Sequence, residues 1–65
     1  MSFDGMRVGK RYYLKNFGER FEFQVEEKKD DKNFIVKDIH TLEKYETKDL
    51  VKFGIGNDFE LYELE

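Results

Sequence analysis

Few residues in this chain of 65 could take part in catalysis. The chain has one His (His40), one Ser (Ser2) and no Cys. Nucleophilic catalysis needs a hydroxyl or thiol beside a general base, and neither Thr41 nor Thr47 lies in a pattern that supplies one. A single imidazole without thiolates also gives too few ligands for a zinc site. We therefore expect a protein that is not an enzyme and that has no metal site and no cofactor.

Acidic residues occur in pairs, but their pattern is typical of a solvated surface. Glu26–Glu27 and Asp30–Asp31 lie among charged or turn-forming residues, whereas paired catalytic carboxylates need a cleft that separates their pKa values. The segment Gly54–Asn57 shares only its glycines with phosphate-binding loops, because no Lys-Ser or Lys-Thr pair follows. His40, beside Asp38, could titrate near neutral pH, although an exposed turn residue is the simpler interpretation.

The apolar residues are spaced as in short β-strands. Phe21, Phe23 and Val25 alternate with polar residues, which is the pattern of a strand with one buried face. A helical turn is predicted over Lys48–Phe53, with Thr47 capping its start. The same reading predicts one domain over residues 1–65, with strands at Gly9–Lys15, Glu19–Lys29, Phe34–Ile39, Glu43–Thr47 and Asp58–Leu64. A turn or loop is predicted at residues 16–18, because Gly18 is free to take a positive φ.

Aromatic residues, 17% of the chain, are expected to supply the core in place of disulfides. In the third strand, Phe34 and Val36 share one face while Ile35 and Ile39 share the other, so we expect a bulge or a bend there. Five short strands without a long helix must bury one face against themselves, which a small curled barrel achieves. An open antiparallel sheet is the alternative. The rings predicted to be buried are Tyr12, Phe21, Phe23, Phe34, Phe53 and Phe59.

The predicted architecture resembles that of SH3-like barrels, particularly the Tudor-like ones. The resemblance lies in Val8-Gly9-Lys10 before the first strand, in the Val36-Lys37-Asp38 strand that turns into Glu43-Lys44-Tyr45, and in the helical turn. It implies a five-stranded antiparallel SH3-like barrel with one short helical turn before the last strand. The chain is also similar to small bacterial single-domain proteins for which no activity is established.

In Tudor-like barrels, the loop after the first strand lies beside the loop between the third and fourth strands. The resemblance therefore implies that Tyr13, Phe17, His40 and Tyr45 approach one another, with Asp38 nearby. Aromatic faces beside a carboxylate attract a cation such as a methylated lysine or arginine. We therefore predict a module that binds a protein segment at this aromatic end. The simpler alternative is that Phe17 caps the core and the tyrosines keep their hydroxyls in water.

Charge is uneven along the chain, although the net charge is only −3. Arg11, Lys15 and Arg20 flank the outward-facing Tyr13, so these residues form a second candidate site, for the phosphates and a stacked base of a nucleic acid. The acidic residues of 57–65 favour a different interpretation, in which the last strand lies beside the first and neutralises it. The acidic overall balance supports this interpretation, because nucleic-acid modules are usually basic.

No apolar stretch approaches the roughly 18 residues needed to cross a bilayer, and Met1–Gly9 contains no apolar run typical of a secretory signal. We therefore expect a monomeric, cytoplasmic protein with no membrane partner. Leu64 and Glu65 could be a remnant of a purification tag.

Overall fold

The structure, a computed structural model, describes residues 3–64 and is built mainly from five short strands. A 3-10 turn at Phe3–Gly5 precedes them, and the helix α1 at Thr47–Leu50 precedes the last strand. The all-β class predicted from the sequence is confirmed, whereas Ser2 and Glu65 lie outside the described residues. The strands are β1 Arg11–Asn16, β2 Glu19–Asp30, β3 Asn33–Asp38, β4 Lys44–Glu46 and β5 Glu60–Glu63.

The strands form one antiparallel sheet in the order β4-β3-β2-β1-β5. Register shifts after Val25 and after Lys28 mark two bulges in the central strand β2, and such bulges bend a strand and increase its twist. The sequence predicts this irregularity in β3, but β3 alternates regularly between its buried and exposed faces. Within residues 3–64 no backbone pairing joins β4 to β5. Closure of the sheet into a barrel therefore stays a prediction.

The core lies on one face of the sheet and takes alternate residues from β1, β2, β3 and β5. Of the rings predicted for it, Tyr12, Phe23 and Phe34 are buried, while Phe21 and Phe59 are half-buried against it. A buried aromatic ring removes about 150–250 Å² from water, so these few side chains supply much of the hydrophobic stabilisation. The buried apolar residues are Met6, Tyr12, Leu14, Phe23, Val25, Phe34, Val36 and Leu61.

The prediction that Phe53 belongs to the core is wrong, because Phe53 is 82% exposed. It lies in the turn after α1, where Gly54 has a φ of 98° and reverses the chain. The carbonyl of Gly54 is bound at 3.0 Å by the side-chain amide of Asn16, a buried residue of β1. The backbone of this turn therefore faces the sheet, and the Phe53 ring is left in solvent.

The helix α1 begins one residue earlier than predicted, at Thr47, and ends at Leu50. Its N-cap is Glu46, whose backbone N–H donates to the Asp49 carboxylate at 3.3 Å. Thr47 is not the cap because its buried hydroxyl oxygen accepts the Phe34 N–H at 3.0 Å. The tertiary contact with β3 thus uses the hydroxyl that the local sequence assigns to capping.

Candidate functional site

One end of the sheet is formed by three loops, which we call the loop end. They are the β1–β2 turn at residues 17–18, the β3–β4 loop at 39–43 and the α1–β5 loop at 51–59. The first two lie at the same end because Asp38, the last residue of β3, pairs with Phe23 near the start of β2. The third joins them because it forms hydrogen bonds to the β1–β2 turn.

A carboxylate from the α1–β5 loop fixes the β1–β2 turn. Phe17 and Gly18 have positive φ values of 50° and 77°, as the central residues of a type I′ hairpin turn do. One oxygen of Asp58 accepts the Phe17 N–H at 2.9 Å, and the other accepts the Gly18 N–H at 2.7 Å. These hydrogen bonds hold the pKa of the Asp58 carboxyl below its usual value, and the bond from the Gly18 N–H has the largest effect. Phe17 is 57% exposed on this fixed turn.

Asn16 holds the α1–β5 loop against the sheet. The sequence places Asn16 in a turn, but it is the last residue of β1 and is only 4% exposed. Its amide nitrogen donates to the carbonyls of Gly54 at 3.0 Å and Leu50 at 3.4 Å. Its amide oxygen accepts the Gly56 N–H at 2.8 Å. One buried side chain therefore satisfies backbone groups of a segment that has no ladder partners.

The side chains beside these hydrogen bonds remain in solvent. Phe53 is 82% exposed and Ile55 is 60% exposed. The ammonium group of Lys52 lies 5.2 Å from the centre of the Phe53 ring, a cation–π contact worth about 0.5–1 kcal/mol at an exposed site. The α1–β5 loop thus adds two apolar side chains to the loop end.

Asp38 organises the β3–β4 loop. One oxygen of its carboxylate accepts the N–H groups of Thr41 at 2.9 Å and His40 at 2.7 Å. These hydrogen bonds lower the pKa of Asp38, and the bond from the Thr41 N–H has the largest effect. The Asp38 carbonyl accepts the Leu42 N–H at 2.9 Å, and Leu42 has a φ of 65° and is 65% exposed. Gly or Asn is the usual residue where a hairpin loop needs positive φ.

Two further residues predicted for the site lie near this loop in different environments. His40 Nε2 is 2.6 Å from a carboxylate oxygen of Glu22. The Tyr45 ring packs edge-on against Phe21, with ring centres 6.3 Å apart. Its hydroxyl is buried close to the Asp38 carboxylate. Burial, followed by the charge of Asp38, raises the pKa of Tyr45 to about 12.

Tyr13, in contrast, lies on the outward face of the sheet. Its ring stacks on Tyr62 of β5, with centres 4.7 Å apart and planes at 20°. Arg11 and Lys15 share this face by strand alternation, and Arg20 lies opposite Lys15 on β2. Because β5 pairs with β1, the expectation that the last strand lies beside the first is confirmed.

The structure thus separates the residues of the predicted aromatic site. Asp38, His40 and Tyr45 lie around the β3–β4 loop, Phe17 lies on the β1–β2 turn, and Tyr13 lies on the outward face. Ring contacts join Tyr13 and Tyr45 to other aromatic residues, not to each other or to Phe17. The described structure therefore shows no contact among these three rings, and their role in binding stays a prediction.

Leu42 and Ile55 are exposed at the loop end but were not singled out by the sequence pattern. A weak signal exists for Ile55, which stands alone between Gly54 and Gly56 and so cannot belong to a strand or helix face. No comparable signal marks Leu42, which stands as a single apolar residue between Thr41 and Glu43 in a short connecting segment.

Comparison of the chain with protein-family models, curated proteins and solved structures gives no match. No helix within residues 3–64 is long and apolar enough to span a membrane. The same part of the chain contains no group of three His, Cys, Asp or Glu residues placed to hold a metal ion.

Proposed function

We propose that the protein is a small, non-catalytic interaction module that binds a protein segment at the loop end. The observation that carries this proposal is the exposure of two bulky apolar residues on left-handed backbone, Phe17 and Leu42. Each lies on one of the two hairpin loops of this end, so an exposed apolar residue with a positive φ occurs twice at the loop end.

Neither Phe17 nor Leu42 is of the residue type that its backbone conformation favours, and neither side chain is buried. A left-handed conformation costs a residue with a Cβ atom about 1–2 kcal/mol, so Gly, Asn and Asp are the usual residues there. Burial offsets this cost only in part, since Phe17, whose ring lies against Gly56, is 57% exposed and Leu42 is 65% exposed. Residues that persist against local preference cluster at ligand-binding positions, where function offsets the strain.

Phe53 and Ile55 add two exposed apolar side chains on the third loop of this end. Exposed apolar patches mark interaction sites on soluble proteins, and aromatic side chains are enriched where protein segments bind. The hydrogen bonds that the Asn16 amide forms and that the Asp58 carboxylate accepts hold the loops in place before a partner arrives. A surface formed in advance loses less entropy on binding, which favours useful affinity from a small area.

The strand order supports the resemblance to SH3-like barrels. The central β2 is long and bent, β5 lies beside β1, and the helical turn lies between β4 and β5. We propose that the sheet curls into an SH3-like barrel of the Tudor-like kind, with the β1–β2 and β3–β4 loops at one end. The monomeric state and the cytoplasmic location expected from the sequence belong to the same proposal.

Peptide-display selection tests the proposal. Random peptides of about twelve residues are selected on the wild-type protein, and their affinities are measured for the wild type and for the double variant Phe17→Asn/Leu42→Asn. Because Asn tolerates positive φ, the double variant should fold with an unfolding midpoint close to that of the wild type. Loss of two central apolar contacts should weaken peptide binding about tenfold or more.

Val8→Asn provides the matched control. Val8 is also apolar and 56% exposed, but it lies outside the loop end, next to Gly9, whose N–H binds the Val25 carbonyl of β2. This variant should bind the selected peptides as tightly as the wild type. The proposal fails if the double variant binds them equally well, or if binding shifts amide signals only outside the loop end.

A further inference from the structure

A second surface, independent of the loop end, lies on the outward face of β1 and β5. Tyr13 and Tyr62 pair across the two strands and stack with ring centres 4.7 Å apart. Tyr62 lies on an edge strand and is 49% exposed, while Tyr13 is half-buried. The pair therefore forms an aromatic surface to which a further planar ring can be added by stacking.

Three cations surround this tyrosine pair. Arg11 and Lys15 lie two positions before and after Tyr13 on β1, about 7 Å away along the strand. Arg20 lies opposite Lys15 on β2. Within residues 3–64, none of the three has a carboxylate oxygen within 4 Å of its charged nitrogens. Arg11 donates a long hydrogen bond of 3.5 Å from Nε to the Gln24 side-chain oxygen, which leaves its other N–H groups and the other two cations available to an anionic ligand.

The carboxylates near this face are mostly engaged elsewhere. Glu22, opposite Tyr13, is bound to His40 at 2.6 Å. Asp58 is close enough for Lys15 to lower its pKa, but the β1–β2 turn occupies both of its oxygens. Glu60, paired with Lys15 across β1 and β5, is the carboxylate on this face for which no ion pair is seen in residues 3–64. Glu22, Asp58 and Glu60 keep their negative charges and match the three cations in number, but Glu60 is the carboxylate whose oxygens are left to compete with an anionic ligand for those cations.

We propose that this face binds single-stranded nucleic acid, with a base stacked on the Tyr13–Tyr62 pair and phosphates on Arg11, Lys15 and Arg20. Stacking requires an unpaired base, because a base inside a duplex already has neighbours on both faces. An aromatic platform flanked by cations is the combination by which proteins bind single strands without reading sequence. The overall negative charge repels nucleic acid at long range, so we expect weak binding that is strongest at low salt.

Fluorescence anisotropy with a labelled oligothymidylate of about ten nucleotides, and with a duplex of similar length, tests this proposal. The single strand should bind more tightly than the duplex. If three phosphates are neutralised, the logarithm of the binding constant should fall with the logarithm of salt concentration with a slope of about −2. Arg11→Gln/Lys15→Gln should reduce this slope to about −0.7, the value for one remaining contact.

Single-residue variants separate stacking from charge. Tyr62→Ser should weaken binding of the single strand about tenfold, whereas Glu60→Gln should strengthen it because a repelling carboxylate is removed. Phe53→Ser is the matched control, since it also removes an exposed ring but from the loop end, and it should leave binding unchanged. The proposal is overturned if the single strand does not bind at about 20 mM salt, if the duplex binds as tightly, or if Tyr62→Ser binds like the wild type.

Discussion

Replacing Asn16 with Ala should destabilise the protein strongly, because this buried amide binds two backbone groups of the α1–β5 loop and the carbonyl of Leu50 at the end of α1. Its bonds to Gly56 and Gly54 are short, at 2.8 and 3.0 Å, while the bond to Leu50 is longer, at 3.4 Å. Each well-formed bond contributes about 1 kcal/mol, and a buried N–H left without a partner costs about 1–3 kcal/mol. We therefore expect the free energy of unfolding to fall by about 2–3 kcal/mol.

A domain of this length has a free energy of unfolding of about 3–10 kcal/mol, so the expected loss is a large fraction of the total. Urea unfolding, followed by far-UV circular dichroism and tyrosine fluorescence, measures it. The midpoint should fall while the slope with urea concentration stays constant, because the same surface is exposed on unfolding. The thermal midpoint should fall by about 10–20 °C, and the Gly56 amide should exchange with solvent faster than in the wild type.

Two variants control for this result. Asn57→Ala changes an exposed residue of the same loop and should alter stability by less than about 0.5 kcal/mol. Asn16→Asp keeps an acceptor for Gly56 but places a carboxylate against two carbonyls, so its stability should partly recover near pH 4, as that carboxylate takes up a proton. If Asn16→Ala behaves like Asn57→Ala, the α1–β5 loop is held by other contacts and the reasoning is refuted.

Three further predictions concern single polar groups. Thr47→Val removes the buried acceptor of the Phe34 N–H and should lower the free energy of unfolding, measured by urea unfolding, by about 1–3 kcal/mol. The lowered pKa of Asp58 contributes stability that is present above about pH 4 and is lost as the pH falls through the folded-state pKa; Asp58→Asn should therefore lose less stability on acid titration. Tyr45→Phe should lose less stability than the wild type as the pH rises from 10.0 towards about 12, because only the unfolded wild-type Tyr45 ionises in that range.

Each of these predictions has a matched control and an outcome that contradicts it. Thr41→Val changes an exposed threonine, and an equal effect of the two valine variants would show that the Thr47 hydroxyl contributes nothing specific. Asp31→Asn changes a carboxylate whose side chain is 96% exposed, and it should leave the acid titration of stability unchanged. An alkaline stability profile for Tyr45→Phe identical to that of the wild type would contradict the buried, neutral state of Tyr45.

Much of the sheet could be predicted from the sequence because strand alternation is a local property. Phe21, Phe23 and Val25 lie at a spacing of two, so their shared face follows from the geometry of an extended chain. A turn at residues 16–18 could be predicted because Gly18 accepts a positive φ, and the observed two-residue β1–β2 turn lies within that range. The bulges in β2 were missed, since the charged stretch around Glu27 gives no apolar pattern from which a register shift could be read.

The loops could not be predicted in the same way because their contacts come from distant parts of the chain. Asn16 was expected in a turn, yet its partners lie 34 to 40 positions away. Thr47 suits an N-cap by its type, but β3 uses its hydroxyl instead. Phe53 suits the core by its hydrophobicity, but the hydrogen bonds of the neighbouring Gly54 turn its backbone inward.

The sequence by itself determined the chemistry that is available to the protein and the class of its fold. Residue types decide which groups can act as nucleophiles or ligands, and period-two spacing decides which residues of a strand share a face. Only the tertiary structure decided which aromatic rings meet and which remain exposed. The physical reason is that exposure in a loop depends on long-range hydrogen bonds, such as those of Asn16 and Asp58, whose partners become neighbours only when the sheet has formed.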